Sequence, residues 1–85
     1  MGTWLTERRL AQNTARLRKL REELAQLNEQ VVVFADDATD SELRALVSET
    51  PGTAHEANDA RKHANAIERQ RQRVRQAIAE LEARQ

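Results

Sequence analysis

Two runs of apolar residues recur with helical spacing, and they constrain the fold of this chain more than any other feature. The first run contains, in order, Leu10, Asn13, Leu17, Leu20, Leu24, Leu27, Val31 and Phe34. The second run contains Ala57, Ala60, Ala64, Ile67, Arg71, Val74, Ile78 and Leu81. Alternating steps of three and four residues form the heptad repeat of helices that pack along one stripe. The sequence therefore predicts two long helices, each with an apolar stripe of four heptads.

The two stripes fit each other when the chain reverses between them and the helices pack antiparallel. The numbers of facing residues then add up to a constant, and a sum of 91 gives every layer of the interface a partner. Phe34 then faces Ala57 and Val31 faces Ala60, so that large side chains lie over small ones, as dense packing requires. We therefore expect an all-α antiparallel helical hairpin, or intramolecular coiled coil, with residues 1 to 85 in a single domain.

Two polar residues interrupt the stripes. In this register Asn13 faces Ile78 and Arg71 faces Leu20. A polar residue in a helical stripe fixes register or oligomeric state at a cost in stability. A long arginine side chain also lays its methylene groups in the groove while its charge reaches water. We interpret Asn13 and Arg71 as register-setting residues; the alternative is that Arg71 and Arg75 form part of an anion or protein site.

The segment between the stripes, VVVFADDATDSELRALVSETP, carries helix start and stop signals. Thr39 with Glu42 and Thr53 with Glu56 both fit the Thr-x-x-Glu capping box, which marks the start of a helix. The Thr-Pro-Gly sequence at 50 to 52 indicates a turn before the second of these starts. We therefore predict three helices, a long one over about residues 4 to 36, a short one over 40 to 48 and a long one over 54 to 85.

Five apolar residues of this segment lie off the stripes. Val32 and Val33 point away from the predicted interface, whereas Leu43, Leu46 and Val47 form one apolar face of the short helix. We expect the short helix to fold back as a cap over the tip of the hairpin and to cover the valines. The alternative is a valine patch that stays open for a partner.

Charge is segregated along the chain although the protein is neutral overall, with 14 bases and 14 acids. Residues 22 to 59 contain ten acids and one base, Arg44. Residues 8 to 21 contain six bases and no acid, and residues 60 to 79 contain six bases and one acid. The hairpin should therefore be a rod of about 45 to 50 Å with an acidic tip and a basic stem. Such polarity favours pairing of one tip with another stem, or a basic partner site for the tip.

A chain of 85 residues is close to the size at which a single core needs support from oligomerisation. We expect a homodimer that forms a helical bundle, together with a further, unidentified protein partner. The candidate partner-binding residues are Val32, Val33, Asp36, Asp37, Asp40, Leu43, Leu46, Val47, Arg69, Arg71, Arg73 and Arg75.

Nucleic acid is a less favoured partner. The stem supplies twelve bases for phosphate contacts, but it has no interleaved aromatic residues for stacking and no DNA-binding motif. These bases are Arg8, Arg9, Arg16, Arg18, Lys19, Arg21, Arg61, Lys62, Arg69, Arg71, Arg73 and Arg75. The sequence has no apolar run of about 20 residues and begins without the features of a signal peptide, so we expect a cytoplasmic protein that does not enter a membrane.

Catalytic features are weak. His55, Asp59 and His63 share one face of the second helix, but the two histidines are about 12 Å apart along its axis, too far to bind one ion together. The chain has no cysteine and no glycine-rich phosphate loop. No nucleophile is paired with a base. We therefore expect no enzymatic activity, no metal site and no cofactor.

Two resemblances add to this interpretation. The segments ADDATDSELRALVSETP and HEANDARKHANAIERQRQRVRQAIAELEARQ, about half the chain, resemble a family of small helical-hairpin proteins from actinobacteria. That resemblance implies a bacterial hairpin protein and no particular activity.

The Asp37-Ala38-Thr39-Asp40 sequence is similar to the Asp-x-x-Asp tip of bacterial transcription factors that insert a coiled coil into the secondary channel of RNA polymerase. This second resemblance implies a metal-proximal role for Asp37 and Asp40. The chain lacks the zinc module or globular docking domain of those factors. We therefore expect a non-enzymatic protein-interaction module or small regulatory adaptor. The alternative is a transcription-associated regulator that contacts RNA polymerase or a sigma factor through the tip or the stem.

Overall fold

The protein is an antiparallel hairpin of two long α-helices in the computed structural model, which describes residues 2–84. Helix α1 comprises Gly2–Ser48 and helix α2 comprises Pro51–Arg84. Only Glu49 and Thr50 separate them, and the hairpin measures 69 × 16 × 15 Å. The predicted all-α helical hairpin is confirmed. We call the end at Glu49 and Thr50 the tip and the opposite end the open end.

The predicted separate helix over residues 40 to 48 is wrong, because these residues are about the last two and a half turns of α1. The heptad stripe of α1 continues beyond Phe34 through Ala38, Ser41 and Ala45, and it gives the helix a continuous packing face. Ala38 is 0% exposed and Ser41 is also buried. Thr39 consequently lies inside a helix and caps nothing, and the predicted break after residue 36 does not occur.

The tip is a tight turn that combines a left-handed residue with a helix cap. Glu49 has φ 51°, and its N–H donates to the carbonyl oxygen of Ala45 at 2.9 Å. The N–H of Thr53 donates to Thr50 Oγ1 at 3.2 Å, and the N–H of Thr50 donates to Thr53 Oγ1 at 3.3 Å. Pro51 occupies the first helical position, where its missing N–H leaves no hydrogen bond unmade. The capping box therefore joins Thr50 to Thr53, one turn before the predicted Thr53 to Glu56 box.

The register of the two helices is shifted by one heptad from the prediction. Polar contacts between the helices lie on both flanks of the interface. Their residue numbers add up to 103 for Arg21 with Glu82 and for Glu42 with Arg61, and to 93 for Glu23 with Gln70. The stripe between the flanks therefore pairs residues whose numbers add up to 98, rather than 91. The physical reason is the two-residue turn, which fixes the reversal between Ser48 and Pro51.

The predicted stripes do form the interface, but with shifted partners. Leu17, Leu20, Leu27, Val74 and Ile78 form the buried core, and Leu24, Ile67, Ala77 and Leu81 pack against it. The shifted register places Leu20 opposite Ile78. Each such large aliphatic side chain contributes about 1.5–3 kcal/mol when fully buried. Near the tip the stripe of α1 is made of small residues, so the strongest packing lies in the half of the hairpin towards the open end.

The shift leaves the first twelve described residues, 2–13, beyond the end of α2, because Arg84 lies opposite position 14. We call this segment the overhang. Leu10, which we expected to face Leu81, is 45% exposed. Asn13 is half-buried and does not face Ile78. The 47 residues of α1 span about 70 Å at 1.5 Å per residue, which explains why the rod exceeds the predicted 45 to 50 Å.

Candidate protein-interaction surface on α1

Among residues 2–84, the large apolar side chains that remain exposed are all on α1. With Leu17 and Leu20 assigned to heptad positions a and d, positions b, c and f point away from α2. We call these three positions, from Trp4 to Val47, the outer face of α1. Seven of the eight exposed large apolar residues are on this face, and the eighth is Leu10 in the overhang. The seven are Trp4, Leu5, Val32, Val33, Leu43, Leu46 and Val47.

The predicted cap over the valines is therefore wrong. Leu46 is 73% exposed and Val47 is 86% exposed, because residues 40–48 continue straight along α1 instead of folding back. Val32 and Val33 are also exposed, as expected for the alternative of an open valine patch. Trp4 and Leu5 were missed, although their b and c positions match those of Val32 and Val33 four heptads later. Arg8 partly screens Trp4, with its Cζ 5.6 Å from the ring centroid.

Charge divides α1 into two blocks. Residues 8 to 21 contain six bases and no acid, and residues 22 to 42 contain seven acids and no base. The shifted register places the basic segment 61 to 75 of α2 opposite residues 23 to 37 of α1. Residues 36 to 60 at the tip contain seven acids and one base, Arg44. The tip is therefore acidic as expected, whereas the bases of the two helices are staggered along the rod and form no single basic stem.

Asp36, Asp37 and Asp40 are exposed, but they do not lie at the turn of the hairpin. Helix α1 continues for three turns after Asp37, so Glu49 and Thr50 are the residues at the turn. Asp40 Oδ2 pairs with Arg44 Nη2 at 3.3 Å on the same helix. The position that the resemblance to polymerase-channel factors gave to Asp37 and Asp40 is therefore wrong.

A two-pronged ion pair joins the helices near the tip. Arg61 Nε donates to Glu42 Oε2 at 3.1 Å, and Arg61 Nη2 donates to Glu42 Oε1 at 2.6 Å. These hydrogen bonds lower the pKa of Glu42 and raise the pKa of Arg61. Sequence reasoning missed the pair because it assigned Glu42 to a capping box. Extending the heptad stripe of α1 would have placed both residues on the same flank of the interface.

The Arg71 side chain forms hydrogen bonds within the hairpin. Its side chain is 24% exposed, and Nε and Nη2 donate to the carboxylate of Glu68 at 3.0 and 3.2 Å. Arg71 Nη1 donates to Asn28 Oδ1 of α1 at 3.3 Å, so Arg71 lies beside Asn28 rather than opposite Leu20. Hydrogen bonds from Arg71, and then from Gln72, lower the pKa of Glu68. Because these donors already have partners, the structure gives no support to an anion site of Arg71 with Arg75.

The remaining arginines that we singled out lie on the surface of α2. Arg69, Arg73 and Arg75 are exposed. Arg73 Nε and Nη2 both donate to Gln70 Oε1, at 3.1 and 2.6 Å. The register places Arg69, Arg73 and Arg75 opposite residues 29, 25 and 23 of α1. That segment carries Glu22, Glu23 and Glu29, so acids interrupt the twelve bases considered for nucleic-acid binding.

The two histidines have different partners. His55 Nε2 lies 3.2 Å from Asp59 Oδ2, whereas the ring of His63 stacks on Phe34 with centroids 6.4 Å apart and planes inclined by 15°. Among residues 2–84, no group of three or more His, Cys, Asp or Glu residues is arranged to hold a metal ion. Neither helix, as described, has a segment both long and apolar enough to cross a bilayer.

Comparison of the chain with protein-family models, with curated proteins and with solved structures gives no match in any of the three. The functional conclusion therefore depends on the residues and the geometry of the hairpin itself.

Proposed function

We propose that this protein is a non-enzymatic protein-interaction module, a small adaptor or regulator, that binds through the outer face of α1. One observation carries the proposal: seven large apolar side chains are exposed on the side of α1 that faces away from the hairpin core, whereas described α2 exposes none. Single exposed apolar residues are common on protein surfaces, whereas several on one face are typical of a binding surface. Here they lie in two groups, Trp4 with Leu5 near the open end and the five from Val32 to Val47 near the tip.

The outer face has no role in the packing of the hairpin. The interface with α2 uses the a and d positions, so side chains such as Leu43 and Val47 contribute little to folding. Their exposure to water is unfavourable until a partner covers them. Asp36 and Asp40 lie among these residues and favour a partner that presents basic groups beside its apolar contacts.

Site-specific photo-crosslinking in cells tests this proposal. A photoreactive amino acid is placed at Leu43, and a matched control carries it at Arg69 on the exposed surface of α2. We expect higher-mass protein adducts, including adducts of the protein with itself, from position 43 and few from position 69. Equal yields at the two positions, or no adduct at position 43, would contradict the proposal. Circular dichroism checks that both variants keep their helices.

The acidic tip supports a second candidate, a transcription-associated regulator that contacts RNA polymerase or a sigma factor. Residues 36 to 60 carry seven acids and one base, which favours binding in a basic channel or groove. Purified RNA polymerase should then retain the protein, and Glu49→Ala with Glu56→Ala, which removes two acids beside the turn, should weaken retention. The control, Glu80→Ala with Glu82→Ala, removes two acids near the open end. Equal retention of both double variants, or no retention of the native protein, would exclude this candidate.

A further inference from the structure

We infer that the outer face of α1 binds a second copy of this chain, with the two α1 helices antiparallel and related by a twofold axis. In this dimer residue i of one α1 lies beside residue 47 − i or 48 − i of the other. The inference rests on the proposed function and names the partner of the same surface.

Trp4 and Leu5 at one end of the outer face and Leu43 near the other end define this register, and Leu46 and Val47 lie outside the apolar contact. Leu43 of one copy lies beside Trp4 and Leu5 of the second copy, and all three are exposed in the hairpin. Val32 and Val33 lie beside Ala15 of the second copy, so that large side chains meet a small one. The twofold axis repeats each contact, so the same residues meet at both ends of the interface.

The two charge blocks of α1 select the same arrangement. The six bases of residues 8 to 21 lie beside residues 26 to 40 of the second copy, which contain Glu29, Asp36, Asp37 and Asp40. Arg18 in particular lies beside Glu29 of the second copy. Opposite charges on facing flanks set the orientation and register of paired helices.

Two competing arrangements bring like charges together. A parallel pair places the basic block of one copy beside the basic block of the other. An antiparallel pair that joins Trp4 to Val32 has a sum of 36, and it places residues 8 to 21 beside residues 15 to 28, which include four bases and two acids. Charge therefore disfavours both alternatives, although each would cover some apolar side chains.

The proposed contact is long enough for a stable complex. It extends from Trp4 to Leu43 on each α1, about 60 Å of helix at 1.5 Å per residue. Specific complexes bury about 1,200–2,000 Å² in total, so each copy has to bury about 600–1,000 Å² along this length. The overhang supplies Trp4 and Leu5 to this contact.

Engineered disulfides test the register directly, because the protein has no cysteine. Ala15→Cys and Val32→Cys are made as separate variants. Residue 15 lies beside residue 32 of the second copy, whereas the two copies of residue 15 are about 26 Å apart along the axis, too far for a disulfide. We expect a disulfide-linked dimer when the two variants are mixed and oxidised, and little from either variant alone.

Charge reversal provides an independent test in solution. Arg18→Glu places two acids side by side and should raise the dimer dissociation constant by about tenfold or more, measured by sedimentation equilibrium. The double variant Arg18→Glu with Glu29→Arg restores the opposite charges and should recover the native affinity. Arg69→Glu, on the exposed surface of α2, serves as the control and should leave the mass in solution unchanged.

The outcomes separate this inference from the proposed function. A monomeric native protein, a disulfide-linked dimer of Ala15→Cys alone, or a failure of Glu29→Arg to rescue Arg18→Glu would overturn the inference. If position 43 gives adducts only with other polypeptides and the protein is monomeric, the proposed function stands and the inference fails. The absence of adducts together with a monomeric mass would reject both.

Discussion

Arg61 of α2 holds the carboxylate of Glu42 of α1 with two hydrogen bonds, from Nε and from Nη2. The pair connects the helices about two turns from the tip on α1 and about three turns from it on α2, and it is compatible with only one heptad register. It also gives this register a dependence on pH, because it needs an ionised carboxylate.

Replacing Glu42 should change the acid sensitivity of the hairpin. The folded-state pKa of Glu42 is lowered from its ordinary 4.5, chiefly by the hydrogen bonds from Arg61. The stabilisation is therefore fully present above about pH 4.5 and is lost as the pH falls through the folded pKa. We expect Glu42→Gln to be less stable than the native protein at pH 7, with the difference shrinking towards pH 3. Urea unfolding, monitored by circular dichroism, measures the free energy of unfolding of both proteins at pH 7 and at pH 3.

The control for this measurement is Glu56→Gln, which removes one exposed acid from α2, outside the proposed dimer contact. Its difference from the native protein should vary less between pH 7 and pH 3. If Glu42→Gln showed the same difference at every pH, the ion pair would not contribute to the pH dependence.

An intramolecular disulfide should distinguish the two registers of the hairpin. Ser41 and Ala57 are both buried and face each other when residue numbers add up to 98. The double variant Ser41→Cys with Ala57→Cys should therefore form a disulfide within one chain without loss of helix. Phe34→Cys with Ala57→Cys fits the sum of 91 and should remain reduced under the same conditions. Non-reducing electrophoresis with mass spectrometry detects the disulfide in each double variant. A disulfide in Phe34→Cys with Ala57→Cys, and none in Ser41→Cys with Ala57→Cys, would support the register with a sum of 91.

Glycine at position 49 should stabilise the tip. Glu49 has φ 51°, a left-handed conformation that costs a residue with a Cβ atom about 1–2 kcal/mol. Glycine adopts it without this cost but loses more chain entropy on folding, so Glu49→Gly should raise the free energy of unfolding by about 0.5–1 kcal/mol. Glu49→Ala retains the Cβ atom and should give no such gain. A gain of equal size in both variants would show that the side chain, rather than the backbone, limits stability here.

The two candidate caps should respond differently to alanine. Thr50 Oγ1 accepts the N–H of Thr53, so Thr50→Ala should lower the free energy of unfolding by about 1 kcal/mol. Thr39 lies within α1 and is exposed, so Thr39→Ala should leave stability unchanged or raise it by a few tenths of a kcal/mol. Thermal unfolding of the two variants provides the comparison. A larger loss for Thr39→Ala would indicate a helix start at that position.

The stripes could be predicted from the sequence, whereas the register could not. A heptad repeat looks the same after a shift of seven residues, so sums of 91 and 98 both align the a and d positions. Only the length of the connection decides between them. The capping signal at Thr39 favoured a long connection that includes a third helix. Ala38, Ser41 and Ala45 continue the stripe, but they are too small to stand out as an apolar pattern.

The candidate site was predicted in part. Val32, Val33, Leu43, Leu46 and Val47 were recognised as lying off the stripes, since this follows from helical periodicity alone. Their exposure depends on α1 remaining straight to Ser48, which is a consequence of packing between the helices. Trp4 and Leu5 precede the first apolar heptad, so their relation to the valines becomes visible only when the heptad positions are extended to the start of α1.

The placement of small side chains near the tip has a consequence for the folding route. Contacts beside the turn close the shortest segments of chain, but there the interface consists of Ala38, Ser41 and Ala57, which gain little from meeting. The larger gain comes from pairs such as Leu20 with Ile78, which are 58 positions apart. Closing so long a segment carries a larger entropic penalty, and non-local contacts slow folding. The rate-limiting event should therefore be the encounter of the leucine-rich halves far from the turn, and substitutions at Leu20 should slow folding more than substitutions at Ala38.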